Sequence, residues 1–107
     1  MSTIDLHSEF LRAELFLTTG QPAEAVAVLA PVVAAEPQNV AVLELLGRAC
    51  FESAQLVKAE EAFGQLVTLA PADGWARRAL ARTLERQHRP AEAATHHRMA
   101  DALGAAT

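Results

Sequence analysis

Histidine and cysteine are two residue types in this chain that could bind a metal ion or act as nucleophiles. The chain has four histidines and a single cysteine, Cys50. His96 and His97 are adjacent, so on a helix their side chains point about 100° apart and are poorly placed to hold one ion. No His-x-x-x-His or Cys-x-x-Cys spacing occurs, although these are spacings that metal sites commonly use. We therefore predict neither a metal site nor a bound cofactor.

Catalytic groups are equally hard to find in the sequence. Cys50 is expected to face the interior of a helical protein, whereas a nucleophilic cysteine needs a nearby base and a partly open, electropositive site. The adjacent acids Glu60 and Glu61 are interpreted as a solvated helix face. The chain has no glycine-rich phosphate loop and no Gly-x-Ser-x-Gly motif. These observations predict no catalytic residue and no enzymatic activity.

The composition favours a single all-α domain. Of the 107 residues 51% are hydrophobic and 5% are aromatic, and much of the apolar content is alanine, the best helix former. The net charge of -4 argues against a nucleic-acid binder, which needs a basic surface. The N-terminal residues do not resemble a signal peptide, and the longest apolar run, 25–35, is shorter than the roughly 18 residues of a membrane helix. Since a lone cysteine is also typical of a reducing compartment, we predict a cytoplasmic protein that binds neither nucleic acid nor membranes.

Turn-forming residues and small residues recur along the chain at a regular interval. Ala25, Ala59 and Ala93 are evenly spaced, and the same interval separates Pro37 from Pro71. A fixed period of this length indicates a repeat protein. The glycine and proline signals place the helices at about 5–18, 22–35, 40–53, 57–69, 74–87 and 90–103.

The chain resembles the tetratricopeptide repeat family, whose helix–turn–helix unit has the same period, about 34 residues. The middle unit carries the resemblance best, through Leu43, Leu46, Gly47, Ala59, Phe63 and Pro71. The resemblance covers nearly the whole chain and implies one domain, 1–107, with units 6–39, 40–73 and 74–107. The implied fold is a right-handed α-α superhelix of three hairpins. Small residues at 13, 47 and 81 and at 25, 59 and 93 are expected to let the two helices of a hairpin approach closely.

Two parts of the chain depart from the family pattern. Glu9 and Arg12 stand where the first unit should have apolar residues, so the first helix is expected to be shifted or loosely packed. In the last unit His97 stands where Phe63 stands in the middle unit, and its neighbours are also polar: His96, Arg98 and Asp101. Because a stack of repeats needs a polar end to stay soluble, we interpret this cluster as that end, which would make the chain complete.

The resemblance also implies a concave groove, lined by the first helix of each hairpin, in which proteins of this family hold other polypeptides. Carried over by position, the expected partner-binding residues are Phe10, Glu14, Arg48, Phe51, Trp75, Arg78, Arg82 and Arg86. Arginine and exposed aromatic residues are typical of binding hot spots. For Trp75 the alternative is that it packs only against the preceding hairpin. The implied function is non-enzymatic binding of a protein or peptide, and the alternative is a structural unit that forms a homodimer through its terminal hairpins.

Charge is distributed unevenly along the chain. Residues 6–39 and 40–73 each carry a net charge of -3, whereas residues 74–107 carry +3. If equivalent groove positions lie side by side, the expected internal pairs are Glu14 with Arg48, Glu44 with Arg78, and Glu52 with Arg86. Arg82 is expected to lie among other arginines, with Glu85 as its only neighbour of opposite charge. It is therefore either simply solvated or available to a partner's carboxylate, which arginine can bind in a bidentate manner. We therefore expect a partner that carries an acidic group and an apolar anchor.

Overall fold

Six α-helices in three helix–turn–helix hairpins build the computed structural model, which describes residues 5–107. The helices are α1 (Leu6–Thr18), α2 (Pro22–Ala35), α3 (Val40–Glu52), α4 (Leu56–Leu69), α5 (Gly74–Arg86) and α6 (Pro90–Ala102). No strand occurs within this described range. Each helix packs against the next one in the chain, and the stack measures 48 × 24 × 20 Å. The predicted all-α fold of stacked helical hairpins is confirmed.

The first helix of each hairpin begins at a side chain that caps its free N–H groups. The three capping residues are Asp5, Asn39 and Asp73, which recur at the same interval as the alanines. The Asn39 Oδ1 atom, for example, accepts hydrogen bonds from the backbone N–H groups of Ala41 at 3.0 Å and Val42 at 3.2 Å. Such caps typically stabilise a helix by about 1 kcal/mol, so they help to set where each repeat starts.

The turn inside each hairpin uses one residue with a left-handed backbone. This residue is Gly20, Ala54 or His88, with φ of 79°, 61° and 60°. In the first turn the N–H of Gln21 then donates to the carbonyl of Phe16 at 2.8 Å, which closes the end of the helix. Only glycine adopts this conformation without steric cost. The same turn geometry nevertheless recurs in all three hairpins, although only the first of them has glycine at this position.

Small residues lie at the closest contacts between paired helices, as predicted. The alanines at these positions are at most 1% exposed: Ala13, Ala25, Ala59, Ala81 and Ala93. At Gly47 a Cβ atom would lie only 2.4 Å from Cε1 of Phe63. Glycine is therefore the residue that allows α3 to approach the Phe63 ring this closely.

The first helix is not shifted, so that half of the expectation for it was wrong. α1 begins at Leu6 and α3 begins at Val40, so their starts are one repeat period apart. The two charged residues are accommodated because the Arg12 Nη1 and Glu9 Oε2 atoms form an ion pair at 3.3 Å. The Arg12 guanidinium also lies over the Phe16 ring, 5.5 Å from its centroid. Within residues 5–107, no helix has both the length and the hydropathy needed to cross a membrane.

Candidate peptide-binding groove

A groove of about 320 Å³ lies between α3 and α5. It is lined by side chains of both helices, by Phe63 of α4 and by residues 105–107. Five of the eight predicted partner-binding residues come together here: Arg48, Phe51, Trp75, Arg78 and Arg82. The predicted aromatic and arginine residues of the second and third hairpins, with the exception of Arg86, therefore share one surface.

Arg78 differs from its prediction because it is not paired with Glu44 and is not free to meet a ligand. It is buried, with 7% of its surface exposed. Its guanidinium forms an ion pair with Asp101, and its Nε atom donates a hydrogen bond to the carbonyl of Ala106 at 3.0 Å. A buried guanidinium needs such partners to offset its lost hydration. Arg78 thus holds the segment after α6 against α5.

His97 and Asp101 belong to this network, so the polar cluster of the last unit also binds Arg78 and is not only a solvated end. Nη1 of Arg78 lies 2.7 Å from Nδ1 of His97, and arginine can only donate. Nδ1 must therefore accept, and the ring proton lies on Nε2, which is 3.1 Å from Oε1 of Glu85. Arg98 and Asp101 remain exposed, whereas His96 and His97 are half-buried.

The other predicted internal ion pairs are also absent. Among residues 5–107, neither the Glu14–Arg48 nor the Glu52–Arg86 pair has atoms within ion-pair distance. Arg86 instead lies over the Phe51 ring, 4.8 Å from its centroid, and donates to the Phe51 carbonyl at 3.3 Å. It fixes that side chain from outside the groove lining.

Two exposed arginines in the groove are left without a protein partner. Within residues 5–107, neither Arg48 nor Arg82 takes part in an ion pair or a side-chain hydrogen bond. Both line the groove beside Phe51 and Trp75. The groove therefore combines unpaired positive charge with apolar surface.

Trp75 contacts the preceding hairpin and also lines the groove. Its ring packs edge-on against Phe63, with centroids 5.8 Å apart and ring planes at 75°, which is a favoured aromatic geometry. At the same time 45% of the residue is exposed and it lines the groove. Contact with the preceding hairpin therefore orients Trp75 while leaving part of its ring available to a ligand.

The first hairpin contributes little to this groove. Phe10 is half-buried and lines a separate recess with Leu6, His7 and residues of the α2–α3 turn. Glu14 is exposed and lines neither cavity. The structure thus separates these two predicted residues from the five in the α3–α5 groove.

Cys50 lies away from the groove and is fully buried, with 0% of its surface exposed. Burial raises the pKa of its thiol, which disfavours the reactive thiolate. The predicted buried position is confirmed. Over residues 5–107, no group of three or more His, Cys, Asp or Glu residues is placed to hold a metal ion, and the absence of a bound metal stays a prediction.

Glu60 is not part of a solvated face, in contrast to its sequence interpretation. Its Oε1 atom accepts hydrogen bonds from Nη1 of Arg89 at 2.7 Å and from Nε2 of Gln87 at 3.0 Å. Partial burial acts to raise the pKa of Glu60, but these hydrogen bonds and the Arg89 charge outweigh it, and the pKa is lowered. Glu60 therefore ties α4 to the turn between α5 and α6, whereas Glu61 is exposed.

The Glu60→Gln variant should be less stable at pH 7 by up to about 1 kcal/mol, the value of a partly exposed ion pair. The folded pKa of Glu60 is lowered, so its stabilisation is present above the unfolded pKa and is lost as pH falls through the folded pKa. The difference from the wild type should therefore shrink at pH 3 in urea titrations. Glu61→Gln is the control and should change little, and equal effects of the two substitutions at pH 7 would contradict the assignment.

Comparison with known proteins identifies similar chains. The tetratricopeptide repeat model matches residues 16–68. A mutant of MamA is similar in structure, with a TM-score of 0.89 and 25% identity over 95% of this chain and 74% of that one. MamA from Desulfovibrio magneticus RS-1 has a TM-score of 0.88 and 28% identity over 94% of this chain and 56% of that one. No curated protein sequence matches the chain.

Proposed function

Because the chain belongs to the tetratricopeptide repeat family, we propose that it is a non-enzymatic adaptor that binds a protein or peptide in the α3–α5 groove. The observation that carries this proposal is the presence, beside exposed aromatic surface, of two arginines, Arg48 and Arg82, that have no ion-pair partner in the described part of the chain. In the proposal the chain is one domain with units 6–39, 40–73 and 74–107. A buried free cysteine fits action in a reducing compartment such as the cytoplasm.

The chemistry of the groove favours a partner with an acidic group and a large apolar side chain. Arg82 is exposed on α5 and can bind a carboxylate through two parallel hydrogen bonds. Phe51 is held by Arg86, and Trp75 is held by Phe63. Their rings are therefore pre-oriented to take an apolar side chain between them, which reduces the entropy lost on binding.

The same residues are poorly suited to catalysis. The groove is lined by arginine, aromatic and alanine side chains together with Glu52 and Thr107. No cysteine, serine, lysine or histidine is among its lining residues, and these types supply most nucleophiles and bases. The lining therefore supports recognition of a polypeptide and not its chemical conversion.

Trp75 provides a direct test, since it is the only tryptophan in the chain. An unstructured peptide with a glutamate and a leucine three residues apart should cause a saturable change in tryptophan fluorescence. Added salt should weaken the binding, because the arginine contribution is electrostatic. The matched control peptide carries lysine in place of glutamate. Equal binding of the two peptides would contradict the proposed recognition of an acidic group.

A homodimer formed through the terminal hairpins is the alternative. Light scattering at increasing protein concentration separates the two functions, because the adaptor should keep the monomer mass of 11.4 kDa. A mass that doubles with concentration would favour self-assembly.

A further inference from the structure

The outer face of α1 presents two exposed leucines. Leu11 is 50% exposed and Leu15 is 62% exposed, and on a helix residues four apart are neighbours. Neither residue lines the α3–α5 groove. This apolar surface is therefore separate from the groove of the proposed function.

The second hairpin buries both equivalent positions, and the third hairpin buries one of them. The equivalent residues of the second hairpin, Leu45 and Ala49, are 3% and 0% exposed. They belong to one core cluster with Val28 and Val32 of α2, because the second helix of the preceding hairpin packs on them. In α5, Thr83 of the third hairpin is likewise 0% exposed. The face of α1 is thus a helix-stacking surface that no helix covers within residues 5–107.

A second copy of the chain offers no good cover for this face. At its other end, the α6 positions equivalent to Phe63 and Val67 hold His97 and Asp101, which are polar and bound to Arg78. Pairing two α1 faces would instead bring together two acidic segments, because residues 5–39 contain five acids and one arginine. Like charges at an interface disfavour association.

We propose that the outer face of α1 binds a basic amphipathic helix of a partner protein. The chain itself shows the apolar pattern that covers such a face, since Val28 and Val32 of α2, at i and i+4, belong to the same core cluster as Leu45 and Ala49. Glu14 is exposed beside Leu11 and Leu15 and makes no ion pair within residues 5–107. Lysine or arginine on the flanks of the incoming helix would complement it.

The probe is a synthetic helical peptide with leucine at i and i+4 and lysine on both flanks. It should bind the wild-type protein, and the double variant Leu11→Ser with Leu15→Ser should bind it at least tenfold more weakly. Both leucines are exposed, so the variant should keep the melting temperature of the wild type. Val57→Ser removes an apolar side chain that is 64% exposed on α4, and this control should bind normally.

Two further measurements distinguish binding at the α1 face from binding in the groove and from nonspecific attraction. Arg82→Glu should leave binding of the lysine-flanked peptide unchanged, so that failure of the groove and failure of the α1 face can be told apart. A version of the peptide with glutamate flanks should bind weakly. Equal binding of the two peptides, or of the wild type and the double serine variant, would overturn the proposal. A wild-type dimer that the double variant dissociates would also overturn it, because a second copy would then be the occupant.

Discussion

Replacement of Gly47 by alanine should lower the free energy of unfolding by about 1–3 kcal/mol, the usual cost of overpacking a core. The new Cβ atom would lie 2.4 Å from Cε1 and 2.6 Å from Cδ1 of Phe63. Phe63 is 2% exposed and packs against Trp75, so its ring has little room to move. In a domain of this size, each kcal/mol should lower the melting temperature by roughly 4–8 °C.

The matched control is the same substitution at Gly64 in α4. A Cβ atom there would have nothing within 4 Å. Because alanine restricts the unfolded chain and favours a helix, Gly64→Ala should stabilise the protein by about 0.5–1 kcal/mol. Thermal unfolding followed by circular dichroism measures both variants. If both substitutions shifted the melting temperature in the same direction, the inferred tight contact between α3 and Phe63 would be contradicted.

The Arg82→Glu variant should lose binding of the acidic, leucine-containing peptide. The substitution removes an unpaired cation from the groove and places a negative charge where the peptide carboxylate is expected. The loss of a charge contact that becomes desolvated on binding costs about 2–5 kcal/mol, so the dissociation constant should rise by at least roughly 30-fold. The folded state should tolerate the change, because Arg82 is exposed and has no ion-pair partner within residues 5–107.

Arg98→Glu is the control for this change, because it makes the same change in net charge on another exposed arginine. Arg98 lies on α6 and does not line the groove; its Nη2 atom donates only a 3.3 Å hydrogen bond to Thr95. We expect nearly normal peptide binding by this variant. Equal losses of peptide binding in the two variants would show that the loss depends only on the net charge of the protein. A loss confined to Arg98→Glu would move the interface to the last hairpin.

The helices of this protein could be predicted closely because their signals are local and repeated. The predicted bounds agree with the observed ones to within one residue at each end. A capping side chain, a turn residue and a small residue each act over a few positions along the chain, and each recurs once in every repeat. The burial of Ala59 and of Cys50 follows from the same periodicity, because the face of a helix that a residue occupies depends only on its position along that helix.

The groove was predictable only in part. Position in the repeat placed Arg48, Phe51, Trp75 and Arg82 on the same surface. It did not reveal that residues 105–107 also line the groove. The sequence signal for that segment was Gly104, whose φ of +78° turns the chain back after α6. A single glycine does not predict which residues the following segment will contact.

The sequence itself therefore determined the helix bounds, the repeat period and the residues that face the core. The tertiary structure decided which charged side chains pair with one another. Arg78 binds Asp101 and not Glu44, and Glu60 of α4 binds Arg89 in the turn between α5 and α6. These partners are 23 and 29 residues apart in the chain. Long charged side chains can reach several neighbours, and the choice among them depends on differences of a few ångströms and on which contact best offsets lost hydration. A periodic sequence pattern does not contain those distances.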